Sequence, residues 1–477
     1  MQSTHKIKNE GKIFTPAYLV SDMLDFAGYR GYSIMNKHIM ENSCGDGAFL
    51  AEIVRRYCEV FPYESLKSKL ETFIHGIEKD YTEYKKCIAR LDFVAAEFGI
   101  QNVEWDIVCG DALELYKNYL DKMDFVIGNP PYIRVHNLTT DIRNFAFATD
   151  GMTDEYLVFY EIGLKMLSPA GKMCLITPSS FLRSKAGQNF RNYIFQNKNL
   201  CGIIDLEHFQ PFNATTYTAV TLFDNTDSES RRRFSYYRYI GQNQIEFVDN
   251  LDYAQAFINK KLYLASKQVL QALQDIEIES QYEKSVSVKN GFATLADDIF
   301  IGDFDFAQNT IGIIKSSTGK WGKCIFPYRK DGSPLPEFAV RNNAPLWKYL
   351  SENRKRLENR SIADKKDWYL FGRTQALRDV SRDKIAINQL IKDTNSLKIN
   401  FVPAGSGVYG GLYIISEFCI EEIESVLKTT EFVDYIKSLK NYKSGGYYTF
   451  SSADLEKFLN YKLTERKQNA LKLVANY

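Results

Sequence analysis

The chain has 477 residues, more than one hydrophobic core holds, so two or three domains are expected. Its 45% hydrophobic and 25% charged residues are ordinary for a water-soluble globular protein, and no apolar run approaches the roughly 18 residues of a membrane span. The net charge of +1 does not by itself mark a nucleic-acid binder, but residues 1–225 carry 23 Lys and Arg against 28 Asp and Glu, and residues 226–477 carry 37 against 31.

Up to about residue 225 short apolar strands alternate with helical stretches. Strands are expected at Ile34–Glu41, Phe73–Glu78, Val103–Cys109, Phe125–Gly128, Lys172–Thr177, Gly202–Leu206 and Thr218–Phe223, with helices near 47–60, 81–98, 111–121 and 155–167 between the first five. Such alternation predicts an α/β fold with a doubly wound, mostly parallel sheet. The polar stretch Asp224–Ser230 reads as a linker, which divides the chain into 1–228 and 229–477. Beyond it the texture is rich in Tyr, Lys and Arg and reads as a mixed α+β region, with helices expected at 260–275, 345–357 and 420–439. The eight cysteines are scattered without a Cys-x-x-Cys pair, and the five histidines show no metal spacing, so neither a disulfide framework nor a metal site is expected. The opening residues lack an apolar leader, and a cytoplasmic location is expected.

Three strand ends carry acids. Glu41-Asn-Ser43-Cys44-Gly45-Asp-Gly47 follows the first strand and opens a helix, where two glycines let the backbone turn tightly near a ligand. It fits neither a dinucleotide fingerprint nor a Walker loop, and read alone it is equally an ordinary turn. Glu78 ends the second strand and Asp111 follows the third. Each alone reads as a helix N-cap; together with Glu41 they line one crevice at the carboxyl ends of the strands. Upstream, Phe14-Thr15-Pro16 has a helix-start signature, with Thr15 as N-cap and Pro16 as first helical residue.

Asp124-Phe-Val-Ile-Gly-Asn129-Pro130-Pro131-Tyr132 closes the fourth strand, and its two prolines hold Asn129 in a rigid turn. Taken in order, Phe14–Pro16, the glycine loop, Glu78, Asp111, Asn129–Tyr132, the helix around Tyr156–Leu167, Gly171–Pro178, Phe212 and Tyr217–Val220 resemble the gamma class of DNA amino-methyltransferases that act on adenine, represented by the Taq restriction-modification methyltransferase.

That resemblance implies a class I methyltransferase fold, S-adenosylmethionine as cofactor and base flipping of double-stranded DNA. It implies that Thr15 and Glu41 hold the methionine part of the cofactor, with Phe14, Pro16, Ser43, Cys44, Gly45 and Gly47 also at the cofactor, that Glu78 holds the ribose, and that Asp111 takes the adenine amino group. Asn129 and the Pro130 carbonyl would accept the N–H groups of the target adenine, beside Pro131. Tyr132 and Phe212 would sandwich the flipped base. Phe209 is the alternative to Phe212, and a core position for Phe212 stays open.

The C-terminal half is similar, more loosely, to the target-recognition region of these enzymes, at Lys289–Phe300 and Asn441–Phe450. Candidate DNA contacts are His136, Arg231, Arg233, Arg238 and Lys443, the last beside Gly445-Gly446; a solvated strand edge is an equal reading of the Arg231–Arg238 run. A monomer is expected, with a cognate restriction endonuclease as possible partner. The competing class is an Asn-Pro-Pro-Tyr methyltransferase acting on RNA bases or on a protein glutamine. About 250 residues after the catalytic motifs favour DNA, because a small protein substrate leaves them without a purpose.

Overall fold

A computed structural model describes residues 14–475 except 62–64, 135–141, 150, 213–215, 227–230, 280–283, 305, 307 and 363, with side chains to residue 464. It comprises two compact units, residues 1–271 and 272–477.

The first unit is built on nine strands in the order β3-β2-β1-β4-β5-β7-β6-β8-β9. They are β1 (Ile39–Glu41), β2 (Ile74–Glu78), β3 (Asp106–Cys109), β4 (Met123–Gly128), β5 (Leu167–Pro178), β6 (Leu200–Asp205), β7 (Thr218–Asp224), β8 (Arg233–Gly241) and β9 (Gln244–Asp252). β3 through β5 run parallel, and β7 is antiparallel to both β5 and β6. The helices that serve this sheet are α1 (Ala17–Ala27), α2 (Ala48–Val60), α3 (Leu66–Phe73), α4 (Tyr81–Glu97), α5 (Ala112–Leu115), α6 (Tyr156–Met166) and α7 (Gln188–Asn197). The central strands are buried along most of their length, as a parallel sheet covered on both faces requires. The doubly wound expectation therefore holds.

Several boundaries differ from those read off the sequence. β1 begins only at Ile39, because Gly31–Ile34 forms a 3-10 turn and Asn36 adopts a left-handed φ of 56°. The helix expected at 111–121 is one turn, Ala112–Leu115, continued as 3-10 structure. The largest difference lies after residue 224. β8 pairs parallel with β6, and β9 closes the sheet beside it. Phe234, Tyr236 and Tyr239 of β8 are buried, and the Tyr239 hydroxyl donates to Asp22 of α1 at 2.7 Å. The division between units accordingly falls at 271/272 and not at 228/229: within the Arg231–Arg238 run Phe234 and Tyr236 are buried strand positions and Tyr237 is half-buried.

The second unit is mixed α+β, as expected. One sheet pairs Val286–Asn290, Leu412–Ser416, Lys384–Ile387 and Ile399–Val402, all antiparallel. A second sheet contains Thr310–Lys315, Lys320–Ile325, Gly407–Tyr409 and Ile301–Gly302. The helix expected at 260–275 appears at Lys267–Glu279, across the division between the units, and those expected at 345–357 and 420–439 appear as Ala344–Glu352 with Arg354–Glu358 and Ile420–Leu427 with Thr430–Ser438. The Lys289–Phe300 segment is largely structural here: Phe292 and Phe300 are buried, and the Arg360 guanidinium donates to the Thr294, Trp368 and Leu370 carbonyls. Among the described residues no helix is long and apolar enough to cross a membrane.

Candidate active site

The ends of β1, β2 and β4 and the turn after β3 open on a cavity of about 490 Å³, within the roughly 300–1,000 Å³ of small-molecule sites. Its wall includes Phe14, Thr15, Glu41, Ser43, Cys44, Gly45, Glu78, Asp111, Asn129 and Pro131, all named from the sequence. It also includes Lys79, Ile133, Glu155 and Phe159, which sequence reading missed. Pro16, Gly47, Pro130, Tyr132 and Phe212 do not line this cavity.

The glycine loop is fixed from two sides. The Cys44 amide donates to the Ile77 carbonyl at 3.0 Å, and Arg90 of α4 grips Asp46 through two bonds of 3.1 and 2.7 Å. Gly47 caps α2 with φ of 81°, and a Cβ there would lie 2.8 Å from the Cys87 sulfur. Only glycine meets both conditions. Gly128 serves closeness instead: a Cβ there would crowd the Glu41 side chain at 3.2 Å.

The three acids differ in their surroundings. Glu41 is 3% exposed and its Oε2 has no hydrogen-bond partner; burial pushes this carboxyl well above the usual carboxylate range, with Cys87 and Asp46 adding to it. An orphaned buried acceptor at the cavity wall suits a bound ammonium group. Glu78 accepts the Gly45 amide at 2.8 Å and the Asp80 amide at 2.7 Å, which aims it across the loop. Asp111 is both a helix cap, accepting the Leu113 amide at 2.9 Å, and an ion pair with Lys79 at 2.8 Å. The bond to Asp111 raises the Lys79 ammonium above its ordinary value.

Thr15 is not the N-cap expected. α1 starts at Ala17 with Pro16 in the capping position and no side-chain cap. The Thr15 hydroxyl instead accepts from Asn129 Nδ2 at 3.0 Å. This bond fixes the orientation of the Asn129 amide at the cavity wall. Tyr132 donates to the Ile176 carbonyl at 3.2 Å, and its ring meets Phe212 edge to face at 6.5 Å. Phe209 packs instead against Tyr18 and Tyr239, so Phe212 is the ring beside Tyr132.

The candidate DNA contacts fare unequally. His136 lies outside the described residues. Arg231 is turned inward, donating to the Lys198, Asp224 and Thr226 carbonyls, because the strand end it joins leaves those acceptors open. Arg238 pairs across strands with Glu246 at 2.6 Å. Arg233 is exposed on β8, opposite Asp252. Lys443 is exposed beside a turn in which Gly445 and Gly446 take φ of 77° and 79°. Lys392, absent from the sequence-based candidates, lies 3.5 Å from where a Gly446 Cβ would stand.

Strand order, cavity position and acids define a class I S-adenosylmethionine-dependent methyltransferase fold. Over residues 49–212 the chain matches the Eco57I restriction-modification methylase family, which bears out the resemblance carried by its motifs. It is 27% identical over 242 residues to the Type II methyltransferase M.BstVI of Geobacillus stearothermophilus, covering 46% of this chain and 43% of that protein. It is 22% identical to the Type II restriction enzyme and methyltransferase RM.Eco57I of Escherichia coli, over 90% of this chain and 54% of that protein. The chain thus spans about half the length of these curated relatives. Among solved structures, the Type IIL restriction-modification enzyme MmeI in complex with DNA shares the fold with a TM-score of 0.59 at 12% identity, over 94% of this chain and 64% of that one.

Proposed function

We propose that the chain is a DNA methyltransferase that transfers a methyl group from S-adenosylmethionine to the N6 amino group of adenine in double-stranded DNA, as the modification component of a restriction-modification system. The observation that carries this reading is the amide of Asn129, held by Thr15 at 3.0 Å, on the wall of the same cavity as Glu41, Glu78 and Asp111.

The cofactor supplies an activated methyl group on a sulfonium, so no enzyme nucleophile is needed. The chain's part is positioning and preorganised dipoles. Glu41 receives the amino group of the methionine part, Glu78 the ribose hydroxyls, and Asp111 the adenine amine. Asn129 Oδ1 and the Pro130 carbonyl accept the two N–H bonds of the target amine, which withdraws its lone pair from the ring and turns it to the methyl. Such an amine is out of reach inside a duplex, so the base must leave the stack. Tyr132 and Phe212 are the rings that would receive it, and Phe212 must turn from its edge-on pose to stack. The second unit reads the target site, with Lys443 and Lys392 as phosphate contacts. A cognate endonuclease acting on the same site is the partner this reading predicts.

The test is transfer of labelled methyl to duplex DNA by the full chain, followed by nucleoside digestion. N6-methyladenine is the expected product. Label in RNA or in a protein glutamine, with none in duplex DNA, overturns the assignment.

A further inference from the structure

Glu155 stands at the start of α6, one turn before Phe159, and both side chains reach the cavity. Its amide donates to the Ile133 carbonyl at 2.8 Å, which ties this helix start to the segment that follows the Asn129 turn. The side chain is 8% exposed, and its Oε2 is buried without a hydrogen-bond partner. Buried polar atoms of this kind are rare unless a ligand completes them. On the same stretch of wall stand Asp111 and Lys79.

Asp111 is partly used already. One oxygen takes the Leu113 amide and the other takes Lys79, leaving one lone-pair site on each. A carboxylate can only accept. An adenine edge presents an amino group next to a ring nitrogen, a donor beside an acceptor. A carboxylic acid matches that pair, one oxygen accepting and its hydroxyl donating.

We infer that Glu155 is a purine-recognition residue, its carboxyl accepting from the exocyclic amine of the bound cofactor and donating to the adjacent ring nitrogen, while Asp111 takes the second amino hydrogen. The inference rests on the reading of this cavity as the cofactor site. The acceptor-only Asp111 sets the polarity of recognition, since a 6-oxo purine would turn its carbonyl oxygen toward that carboxylate. Ile133 and Phe159 supply apolar surface for the ring.

The protonation state of Glu155 agrees with this role. Burial pushes its carboxyl up to about 7; the Lys79 ammonium opposes the shift and the Asp111 carboxylate adds to it. Glu114 faces Lys79 from α5, and Glu41, Glu78, Asp80 and Glu83 occupy the rest of the wall. Below this value the acid form is the majority species and the donor is in place. Above it, binding must either reprotonate Glu155 or lose the bond and set two carboxylates against one amine.

The experiment is calorimetric binding of S-adenosylhomocysteine, which cannot turn over, to the full chain between pH 6 and 8.5. Wild-type affinity should fall about tenfold across this range, the loss of one hydrogen bond to a charged or neutral partner. Glu155→Gln, whose amide keeps a donor and an acceptor, should bind within about threefold of wild type at pH 6 and should flatten the pH profile. Glu155→Leu should bind about tenfold more weakly at pH 6, and its preference for S-adenosylhomocysteine over S-inosylhomocysteine should shrink severalfold. Circular dichroism of both variants guards against misfolding. A Glu155→Leu protein with wild-type affinity, pH profile and purine preference overturns the inference and leaves the cofactor site standing. Failure of the wild-type chain to bind S-adenosylhomocysteine at all overturns the cofactor site and the inference with it.

Discussion

The two units place their candidate functional residues by different means. In the first, a parallel sheet delivers Glu41, Glu78 and Asn129 on successive strand ends, with Asp111 one turn beyond a fourth. Position along the strand decides position in the cavity. In the second, a small three-stranded antiparallel sheet leaves the exposed cations Lys443 and Lys392 at strand ends beside turns. A regular sheet makes a site that is buried and intolerant of change. A turn-borne site is exposed and contributes in small increments.

The largest effect should come from the centre of the first unit. Asn129→Ala removes the amide that Thr15 holds, and methyl transfer should fall about a hundred- to a thousandfold, in line with loss of one preorganised dipole. Cofactor binding should stay within a factor of about three, because Asn129 acts on the incoming amine. Calorimetry alongside a tritium-transfer assay separates the two quantities. Turnover near that of the wild type would remove Asn129 from the mechanism and with it the contrast between the units.

Next is Gly47→Ala. It combines a φ of 81° with a Cβ 2.8 Å from the Cys87 sulfur, so the loop or α4 must shift. The expected loss is about 2–3 kcal/mol of stability, read from urea midpoints, together with weakened cofactor binding. Gly445→Ala, with φ of 77° but only the flexible Tyr447 ring nearby, should cost about 1 kcal/mol. Equal losses at the two positions would deny that the sheet-borne loop is the more constrained.

The same contrast governs what could be read beforehand. β1 to β5 and the helices α2, α4 and α6 were legible because short apolar strands alternate with helical stretches, and the tight Asn-Pro-Pro turn marks itself, whereas α3 at Leu66–Phe73 was not anticipated. Three of the candidate cofactor residues, Glu41, Glu78 and Asp111, followed from being acids at strand ends, and the others from the glycine loop, the helix-start segment and the resemblance. Glu155 escaped because an acid beside a helix start is an unremarkable dipole or capping residue. Lys79 escaped for a similar reason, as one surface lysine among many. β8 was assigned to the wrong unit because its Arg and Tyr content resembles a nucleic-acid strand, whereas burial of Phe234, Tyr236 and Tyr239 shows what the alternation meant. In the second unit, Val286–Asn290 pairs with Leu412–Ser416, far along the chain, and nothing in local spacing encodes such a pairing.

A third test uses Glu155 without any ligand. Its folded carboxyl titrates at about 7 against an ordinary 4.5. Between those values the native state holds a proton that the unfolded chain has lost, so this group lowers stability as pH rises through that window, and the deficit is constant above it. Glu155→Gln removes the titration. The variant should gain on wild type from pH 5 to pH 8, by at most about 3 kcal/mol. Urea midpoints at the two pH values measure the difference. An unchanged difference would mean that Glu155 is ionised at the lower pH and that its burial is relieved by a route the cavity geometry does not contain.

The smallest effect, and the one that most sharpens the comparison, concerns the exposed cations. Lys443 and Lys392 stand at one turn of the second unit, beside the exposed ring of Tyr447, with two glycines that keep the backbone open to close approach. Arg238 is equally basic but is neutralised by Glu246 on the neighbouring strand of the first unit. If the turn contacts phosphate, each of Lys443→Ala and Lys392→Ala should weaken duplex DNA binding by about 1 kcal/mol, uniformly across sequences. Each should also reduce the slope of log affinity against log salt by about 1, since one fewer counterion is released. Arg238→Ala should leave the slope unchanged, because Glu246 already occupies that charge. Fluorescence anisotropy over a salt series gives both quantities, and cofactor binding, which neither lysine touches, serves as the control for folding. A slope that moves with Arg238 and not with the two lysines would transfer the electrostatic contact to β8 of the first unit and restore the Arg231–Arg238 run as the DNA-facing strand.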